Sequence, residues 1–192
     1  MEVDPRLETY LDLLFAWNRA AGLTAFRSRR EVLERGVVPS WQALPFLPEE
    51  GRVLDVGSGG GIPALPLALA RPRLSWVLAE PAPAKAVFLE EVARRLNLSW
   101  EVRARPAEEV LRSGERWRAA TLRGIFPRKG TFRRLAGALE PEGVLLLWTG
   151  GERLEACRGI LGGLGLSLEE RPCPGAGVVL LAGRVPRGTP GR

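Results

Sequence analysis

The sequence has 192 residues, the length of one compact domain with room for a substantial core. Its 45% hydrophobic and 26% charged residues are ordinary for a globular protein, and no apolar run approaches the roughly 18 residues of a membrane span. The acidic start at 1–4 lacks the layout of a signal peptide, and two cysteines, Cys157 and Cys173, indicate neither a disulfide framework nor a metal cluster. We therefore expect a cytoplasmic monomer with no membrane association and no metal.

The net charge of +6 comes from 28 Lys and Arg against 22 acidic residues, and only Lys85 and Lys129 are lysines. A basic surface attracts a phosphate backbone, and arginine also offers a planar fork for phosphate. An arginine excess is equally typical of genomic bias or of adaptation to heat, as in a thermophile, so composition alone leaves both interpretations open. The sequence has no histidine, which excludes a histidine base, nucleophile or metal ligand.

The first 48 residues predict a helical extension. Asp4 is a suitable N-cap with Pro5 at the first helical position, and Gly22 is expected to end this first helix. A second helix is predicted over about 29–43, where Pro39 indicates a kink or an early stop. We expect these helices to pack beside the sheet or over the mouth of a site.

From 49 to 185 the pattern alternates between strand and helix, which predicts an α/β fold with helices on both faces of a mostly parallel sheet. The predicted strands are 53–56, 74–79, 100–104, 119–122 and 144–148, followed by an antiparallel edge hairpin of 166–169 and 178–184. The predicted helices are 62–70, 84–96, 106–111, 131–139 and 152–164. The tail 186–192 is rich in Pro, Gly and Arg, and we expect it to be disordered.

A glycine cluster follows the first predicted strand and precedes a helix, where the chain must turn tightly and let a ligand touch backbone. The segment reads Leu54-Asp55-Val56-Gly57-Ser58-Gly59-Gly60-Gly61-Ile62-Pro63. A dinucleotide fingerprint counted from Gly57 would need glycine or alanine at Ile62, and no P-loop signature is present. The remaining G-x-G-x-G after an aspartate suits a nucleoside cofactor without a pyrophosphate. Its predicted contacts are Asp55, Gly57, Ser58, Gly59, Gly61 and Ile62.

Two further positions agree with a nucleoside. Glu80 closes the second predicted strand about 20 residues beyond the glycine loop, where an acid accepts hydrogen bonds from both hydroxyls of a ribose. Ala107 and Glu108 follow the third predicted strand, where backbone amides can meet an adenine edge. The sequence therefore predicts a cofactor site along these strand ends.

The sequence resembles the bacterial small-subunit ribosomal RNA methyltransferase G family, also called glucose-inhibited division protein B, over roughly 11–150. The segment 54–63 is the most specific mark. The others are Trp17-Asn18, Leu23-Thr24-Ala25, Pro66-Leu67, Arg71-Pro72, Lys85, Phe88-Leu89, Ala107-Glu108 and Arg123 after the fourth strand. The resemblance implies a Rossmann-like class I methyltransferase that uses S-adenosyl-L-methionine to methylate N7 of a guanine in 16S ribosomal RNA. By matching positions it implies cofactor contacts from Gly57, Ile62, Ala107, Glu108 and Arg123, with Arg123 also in the catalytic centre.

Several positions depart from the family pattern. Gly36 and Pro39 stand where the family has His and Asp, Leu122 and Gly124 flank Arg123 in place of Ser and Ala, and Thr149 replaces a lysine. The alternative is a divergent paralogue that binds the cofactor but acts on a small molecule, or that binds RNA or regulates without catalysis. A dense basic cluster favours nucleic acid, since we expect much of it near the strand ends. Its members are Arg116, Arg118, Arg123, Arg128, Lys129, Arg133 and Arg134.

Overall fold

The computed structural model describes residues 4–187, and its centre is one seven-stranded sheet. The strand order is β3-β2-β1-β4-β5-β7-β6, in which β1 to β5 run parallel while β7 and β6 are antiparallel. The strands are β1 Gly51–Val56, β2 Leu74–Ala79, β3 Trp100–Arg103, β4 Trp117–Arg123, β5 Leu139–Thr149, β6 Ser167–Cys173 and β7 Val178–Arg184. This confirms the predicted mostly parallel sheet with an antiparallel edge hairpin.

Helices cover both faces of the sheet, as predicted. They are α1 Arg6–Ala21, α2 Arg29–Val32, α3 Val38–Trp41, α4 Ala64–Ala70, α5 Pro83–Leu96, α6 Ala107–Val110, α7 Lys129–Ala138 and α8 Glu152–Gly162, with a 3₁₀ turn at Leu111–Ser113. No helix within residues 4–187 is both long and apolar enough to cross a membrane. Of the predicted tail, 188–192 lie outside the described residues.

Alternate residues of β1, β2, β4 and β5 face two separate hydrophobic clusters, because side chains along a strand point to opposite faces; the edge strand β3 contributes to one of them only. In β1, Val53 packs with α1, α2, α4 and α5, whereas Leu54 packs with α6, α7 and α8. Both faces of the sheet are therefore buried, which explains the continuous apolar runs in β1, β4 and β5.

The N-terminal segment is helical, as predicted, but α1 begins at Arg6 with Pro5 rather than Asp4 at its N-cap, and the helix around Pro39 also differs from the prediction. The Asp4 carboxylate accepts from the backbone N–H of Arg6 (2.9 Å), and Gly22 ends α1 in the left-handed conformation. The second helix does not stop at Pro39; a π-helical turn, Leu33–Val37, joins α2 to α3. Pro39 supplies no backbone N–H, yet the chain stays helical through the π turn to Trp41.

Several boundaries differ from prediction: β5, for example, begins at Leu139 rather than at residue 144, and α7 begins at Lys129 rather than at residue 131. Two further differences have clear physical reasons. The fourth helix begins at Ala64 rather than at residue 62, because the glycine turn extends to Pro63. Strand β6 runs to Cys173 rather than ending at 169, and most of its residues are exposed. An edge strand with both faces exposed to solvent lacks the alternation of apolar and polar residues that identifies a strand in a sequence.

The sheet has its topological switch point between β1 and β4. The chain passes from β1 outwards through β2 and β3, then returns to β4 on the other side of β1. Loops leaving β1 and β4 therefore diverge at the carboxyl edge of the sheet, and in open α/β sheets that crevice binds ligands. The glycine loop after β1 and the segment 123–128 after β4 meet there.

Candidate functional site

The glycine loop, defined as residues 57–63, is held in one conformation by its own backbone. Gly57, Gly59 and Gly61 have φ angles of +67°, +53° and +88°, which only glycine adopts readily. The Gly57 N–H donates to Ala79 O of β2 (2.8 Å), and the Gly61 N–H donates to Ser58 O (2.7 Å). The glycines at 57, 59 and 61 thus stand at the positions where the turns of the loop require a positive φ.

The N-terminal segment packs against this loop at Gly60. The Tyr10 hydroxyl, fully buried in α1, donates to Gly60 O (2.6 Å). A Cβ placed on Gly60 would lie 3.1 Å from Leu23 O and 3.1 Å from Leu14 Cδ1. Asn18 fixes the turn after α1, since its amide donates to Thr24 O (3.1 Å) and accepts from Thr24 N (2.8 Å). The sequence analysis does not single out Tyr10, so this contact was missed.

Glu80 lies directly after β2 and is 5% exposed. Its Oε2 accepts from the Gly59 N–H (2.8 Å) and its Oε1 accepts from the Ala82 N–H (2.9 Å). The carboxylate is therefore fixed against the glycine loop, as its predicted position after β2 requires. Each oxygen accepts one backbone donor and keeps acceptor capacity for a further donor.

Asp55 is buried beneath the loop rather than exposed in it. Its Oδ1 accepts from the Thr121 hydroxyl of β4 (2.6 Å), while Oδ2 has no hydrogen-bond partner among the described residues. Burial, with a smaller contribution from the charge of Glu80, raises the pKa of this carboxyl to about 6, although hydrogen bonds from Thr121 and Ser58 oppose the rise. Asp55 thus joins β1 to β4 below the crevice.

Arg123 ends β4 and reaches across the crevice to the N-terminal segment. Its Nη1 donates to Gly36 O (3.0 Å) and its Nη2 donates to Arg35 O. No acidic side chain among the described residues pairs with it. Burial lowers the pKa of Arg123 to about 10, so the guanidinium remains charged at neutral pH. The site therefore contains a half-buried guanidinium whose hydrogen-bond partners among the described residues are backbone carbonyls.

Three of the positions that were expected to depart from the family pattern are closely packed or make a backbone hydrogen bond. A Cβ on Gly36 would lie 3.1 Å from Ile62 Cδ1 and 3.2 Å from Phe26 Cε2, so a larger residue there would have to displace these side chains. Pro39 O accepts from Trp148 Nε1 (2.8 Å). Leu122 is fully buried in the core. At Gly36 the packing of Ile62 and Phe26 therefore leaves little space for a larger polar side chain.

Two open pockets adjoin at Arg123 and Gly124. The loop pocket, of about 200 Å³, is lined by 57–60 and Ile62 of the glycine loop, by Arg123 and Gly124, and by N-terminal residues including Tyr10, Thr24 and Phe26. The second pocket, of about 520 Å³, lies past the ends of β4 and β5 and is lined on its far side by Glu152, Arg153 and Val178. Arg123 and Gly124 line both, so they form a shared wall.

The structure brings together most, but not all, of the predicted site residues. Gly57, Ser58, Gly59, Ile62 and Arg123 line the loop pocket, and Glu80 contacts it through Gly59. Gly61 faces the core instead, with Leu89 and Trp100 as neighbours of its would-be Cβ. Asp55 lies beneath the loop.

Ala107 and Glu108 lie further along the carboxyl edge, in α6, and do not line the loop pocket. Ala107 is buried, and the Glu108 Oε1 accepts from the Thr131 hydroxyl of α7 (2.7 Å). This hydrogen bond holds the pKa of Glu108 below its usual value. The Glu108 side chain thus links α6 to α7. The predicted contact to an adenine would therefore have to come from the backbone of residues 107–108.

The predicted basic cluster does not lie in one place. Arg116 and Arg118 sit at the amino end of β4, at the edge opposite to the crevice, so they are not among the cations near the carboxyl ends of the strands. Arg116 donates to Gly137 O and Leu139 O, and Arg118 pairs with a glutamate. A seven-residue strand is about 20 Å long. Residues at its two ends therefore lie far apart in space although they are close in sequence.

The cations that remain at the carboxyl edge are unpaired. They stand in the loops after the strands or in the first turn of the next helix, and no carboxylate pairs with them within the described chain. They are Lys85, Arg105, Arg128, Lys129 and Arg153, with Arg133 and Arg134 one turn further along α7. By contrast, Arg52 and Arg118 at the opposite edge are ion-paired.

The fold recurs in solved methyltransferases. An O-methyltransferase from Bacillus cereus, determined in complex with SAH, superposes with a TM-score of 0.69 at 18% identity and covers 96% of this chain and 92% of that one. The strand order and the crevice at its switch point therefore define a Rossmann-like class I methyltransferase fold.

The sequence comparisons define the family within that class. The profile of GidB, the rRNA small subunit methyltransferase G family, matches residues 4–158. Ribosomal RNA small subunit methyltransferase G of Stenotrophomonas maltophilia is 36% identical over 146 residues, which are 76% of this chain and 68% of the relative. The chain belongs to the rRNA small subunit methyltransferase G family. The enzyme of that name from an Anaeromyxobacter species is 43% identical over 97 residues, 50% of this chain, and the match spans only 45% of that relative.

The buried carboxyl of Asp55 predicts a pH dependence of stability. Because burial raises its pKa from 3.8 to about 6, the folded state holds its proton where the unfolded state has lost it. The free energy of unfolding should therefore fall as pH rises through about 4 to 6, by up to about 3 kcal/mol, relative to Asp55→Asn. Urea titrations at several pH values measure this difference, with Asp12→Asn as the exposed control. A wild-type minus Asp55→Asn difference that does not change with pH would contradict the assignment.

Proposed function

We propose that this protein transfers a methyl group from S-adenosyl-L-methionine to small-subunit ribosomal RNA. The observation that carries the proposal is a pocket formed by the glycine loop, Glu80 and Arg123 at the switch point of a class I methyltransferase fold. Family membership supports the RNA substrate. Ribosomal RNA as substrate also accounts for a cytoplasmic location, and we propose that the protein works there as a monomer without metal.

The residues of the loop pocket fit the cofactor chemically. Glu80 has remaining acceptor capacity on both oxygens for a ribose diol. Around Gly59 the nearest atoms to a would-be Cβ are backbone oxygens 3.8 and 4.0 Å away, so the loop leaves room for a ligand against its backbone. Asp55 has a buried carboxylate oxygen without a partner, which suits the ammonium of an amino-acid end directly or through a water. We assign Gly57, Ser58, Gly61 and Ile62 to shaping this cradle, and the backbone of Ala107 and Glu108 to the adenine.

Arg123 supplies positive charge at the junction of the two pockets. Its guanidinium has five N–H donors, and the backbone carbonyls of the N-terminal segment use only part of them. A carboxylate of the cofactor or a phosphate of the RNA would compensate its charge. We therefore propose that Arg123 contacts the bound reactants as well as holding the N-terminal segment.

The chemistry that we propose needs no histidine. The bound cofactor supplies a methyl group on a sulfonium, and N7 of guanine carries a free lone pair that attacks the methyl carbon as the carbon–sulfur bond breaks. No proton has to leave the nucleophile first, so the protein contributes alignment and charge placement. This agrees with a chain that contains no histidine at all.

The unpaired cations of the carboxyl edge form the RNA-binding face in this proposal. Arginines and lysines that lack internal carboxylate partners remain free to neutralise phosphates. Arg153 lines the second pocket, and Arg128 and Lys129 stand in the loop and first helical turn after β4. Arg133 and Arg134 extend the face along α7. The target base would enter the crevice from this side.

Gly59 tests the cofactor site. Gly59→Val should abolish S-adenosyl-L-methionine binding measured by calorimetry, because φ of +53° strains a β-branched residue and its side chain enters the open space before the loop. Gly114→Val is the matched control: φ is +78°, nothing lies within 4 Å, and the residue is far along the chain in the turn before β4. Unchanged affinity in Gly59→Val would exclude this loop as the cofactor site.

Charge reversal tests the RNA face. Arg133→Glu with Arg134→Glu should weaken RNA binding across sequences and reduce the salt slope, since each neutralised phosphate contributes roughly 0.7 to 0.9 to it. The same reversal at Arg94 and Arg95, which pair with Glu91 near the end of α5, is the control. Filter binding at several salt concentrations gives both quantities, and cofactor affinity should not change. Equal effects of the two reversals, or an RNA affinity that does not change with salt concentration, would contradict the proposal that this face binds RNA.

A further inference from the structure

The peptide unit between Gly60 and Gly61 lies in the part of the glycine loop that the chain itself constrains least. A glycine stands on each side of this unit, and glycine adopts left-handed and right-handed backbone conformations at little cost. The unit can therefore flip unless hydrogen bonds hold its carbonyl and its N–H. Because Gly60 lines the loop pocket, the groups that hold this peptide unit determine the shape of the pocket wall.

Two hydrogen bonds hold the unit, one at each polar atom. The Gly61 N–H donates to Ser58 O (2.7 Å), within the loop, and Gly60 O accepts from the Tyr10 hydroxyl of α1 (2.6 Å). The Tyr10 ring also packs on Gly61, since its Cε2 lies 3.8 Å from a would-be Cβ there. Tyr10 is fully buried, so its hydroxyl is out of reach of solvent. Tyr10 thus fixes the Gly60 carbonyl from outside the loop.

The helix that carries Tyr10 is itself firmly anchored. Leu11 and Leu14 of α1 are fully buried in the cluster that contains Val53 of β1. Near the other end of α1, Trp17 packs against Phe88 of α5, with ring centroids 5.9 Å apart. Burial also raises the pKa of Tyr10, so the hydroxyl keeps its proton and remains a donor. The loop therefore receives this hydrogen bond from a fixed support.

We propose that Tyr10 is a positioning residue for the cofactor, because its hydroxyl holds the Gly60–Gly61 peptide in the orientation that admits S-adenosyl-L-methionine. The identity of the ligand rests on the proposed function. Tyr10 acts through the loop and does not touch the reacting atoms. Without the hydroxyl, the Gly60 carbonyl loses its donor and the peptide unit samples several orientations. Cofactor affinity then falls in proportion to the fraction of molecules that keep the binding orientation.

The same contact couples α1 to the ligand. If Tyr10 favours the binding conformation of the loop, bound cofactor must stabilise the contact between Tyr10 and Gly60 by the same factor, because coupling between two equilibria is reciprocal. The cofactor should therefore slow amide exchange at Gly61 more in wild type than in a protein without the hydroxyl. A tyrosine that only filled the core would affect stability without this coupling.

Tyr10→Phe tests the proposal, since it keeps the ring and removes only the hydroxyl. Calorimetry should show an affinity for S-adenosyl-L-methionine about tenfold below that of wild type, roughly the factor that one buried hydrogen bond contributes to an equilibrium. RNA affinity, measured by filter binding, should stay the same. In the protein without ligand, NMR should show faster amide exchange at Gly61 by a similar factor, because a freely flipping unit loses its bond to Ser58 O.

Trp41→Phe is the matched control. Trp41 Nε1 donates to Pro66 O (3.3 Å), so this change also removes one aromatic donor from a backbone carbonyl, but outside the glycine loop. It should leave cofactor affinity and Gly61 exchange unchanged. An equal loss of cofactor affinity in both variants would mean that general destabilisation, rather than the loop contact, weakens binding, and would overturn the proposal.

The other outcomes separate this inference from the proposed function. If Tyr10→Phe binds the cofactor within about twofold of wild type, or loses affinity while Gly61 exchange is unchanged, Tyr10 does not position the loop, even where the wild type methylates ribosomal RNA. A loss confined to Tyr10→Phe, together with faster Gly61 exchange, supports the role. A wild type without affinity for the cofactor overturns the proposed function and the positioning role with it.

Discussion

Three backbone carbonyls of the segment 29–41 accept hydrogen bonds from side chains at the ends of β4 and β5. Pro39 has no N–H, so Arg35 O lacks the donor that a regular helix would supply, and Arg123 provides one. Arg123 also donates to Gly36 O (3.0 Å), and Trp148 donates to Pro39 O (2.8 Å). A hydrogen bond from a charged donor contributes about 1.5–3 kcal/mol, and a buried carbonyl without a partner would cost a similar amount.

The shape of the site depends on this contact. The carbonyls hold the N-terminal segment against the carboxyl edge, where Phe26 lines the loop pocket and Ile62 packs against Gly36. Tyr10 and Leu23 then complete the support of the glycine loop from α1 and its following turn. The same guanidinium forms part of the wall between the two pockets. One arginine thus contacts the helical extension and lines both pockets.

The sequence predicts well whatever depends on local chemistry. Buried parallel strands produce apolar runs, and the glycines at 57, 59 and 61 have the positive φ angles that their spacing indicates. Glu80 lies where an acid after the second strand should lie. Contacts between distant segments are not visible in this way: Arg123 meets Gly36 across 87 positions, and Tyr10 meets Gly60 across 50. Arg116 lies apart from the rest of the basic cluster because the two ends of one strand are neighbours in sequence but lie at opposite edges of the sheet.

Hydrogen exchange on Arg123→Met tests the central claim, that this arginine holds the N-terminal segment on the sheet. Methionine keeps the length of the side chain but has no donors, and Arg118→Met at the other end of β4 is the control. The backbone amides of 29–41 should exchange at least about tenfold faster in Arg123→Met, as local opening requires after loss of a charged hydrogen bond, while those of β1 and β2 keep their protection. Unchanged protection of 29–41, or an equal loss across the whole sheet, would contradict it.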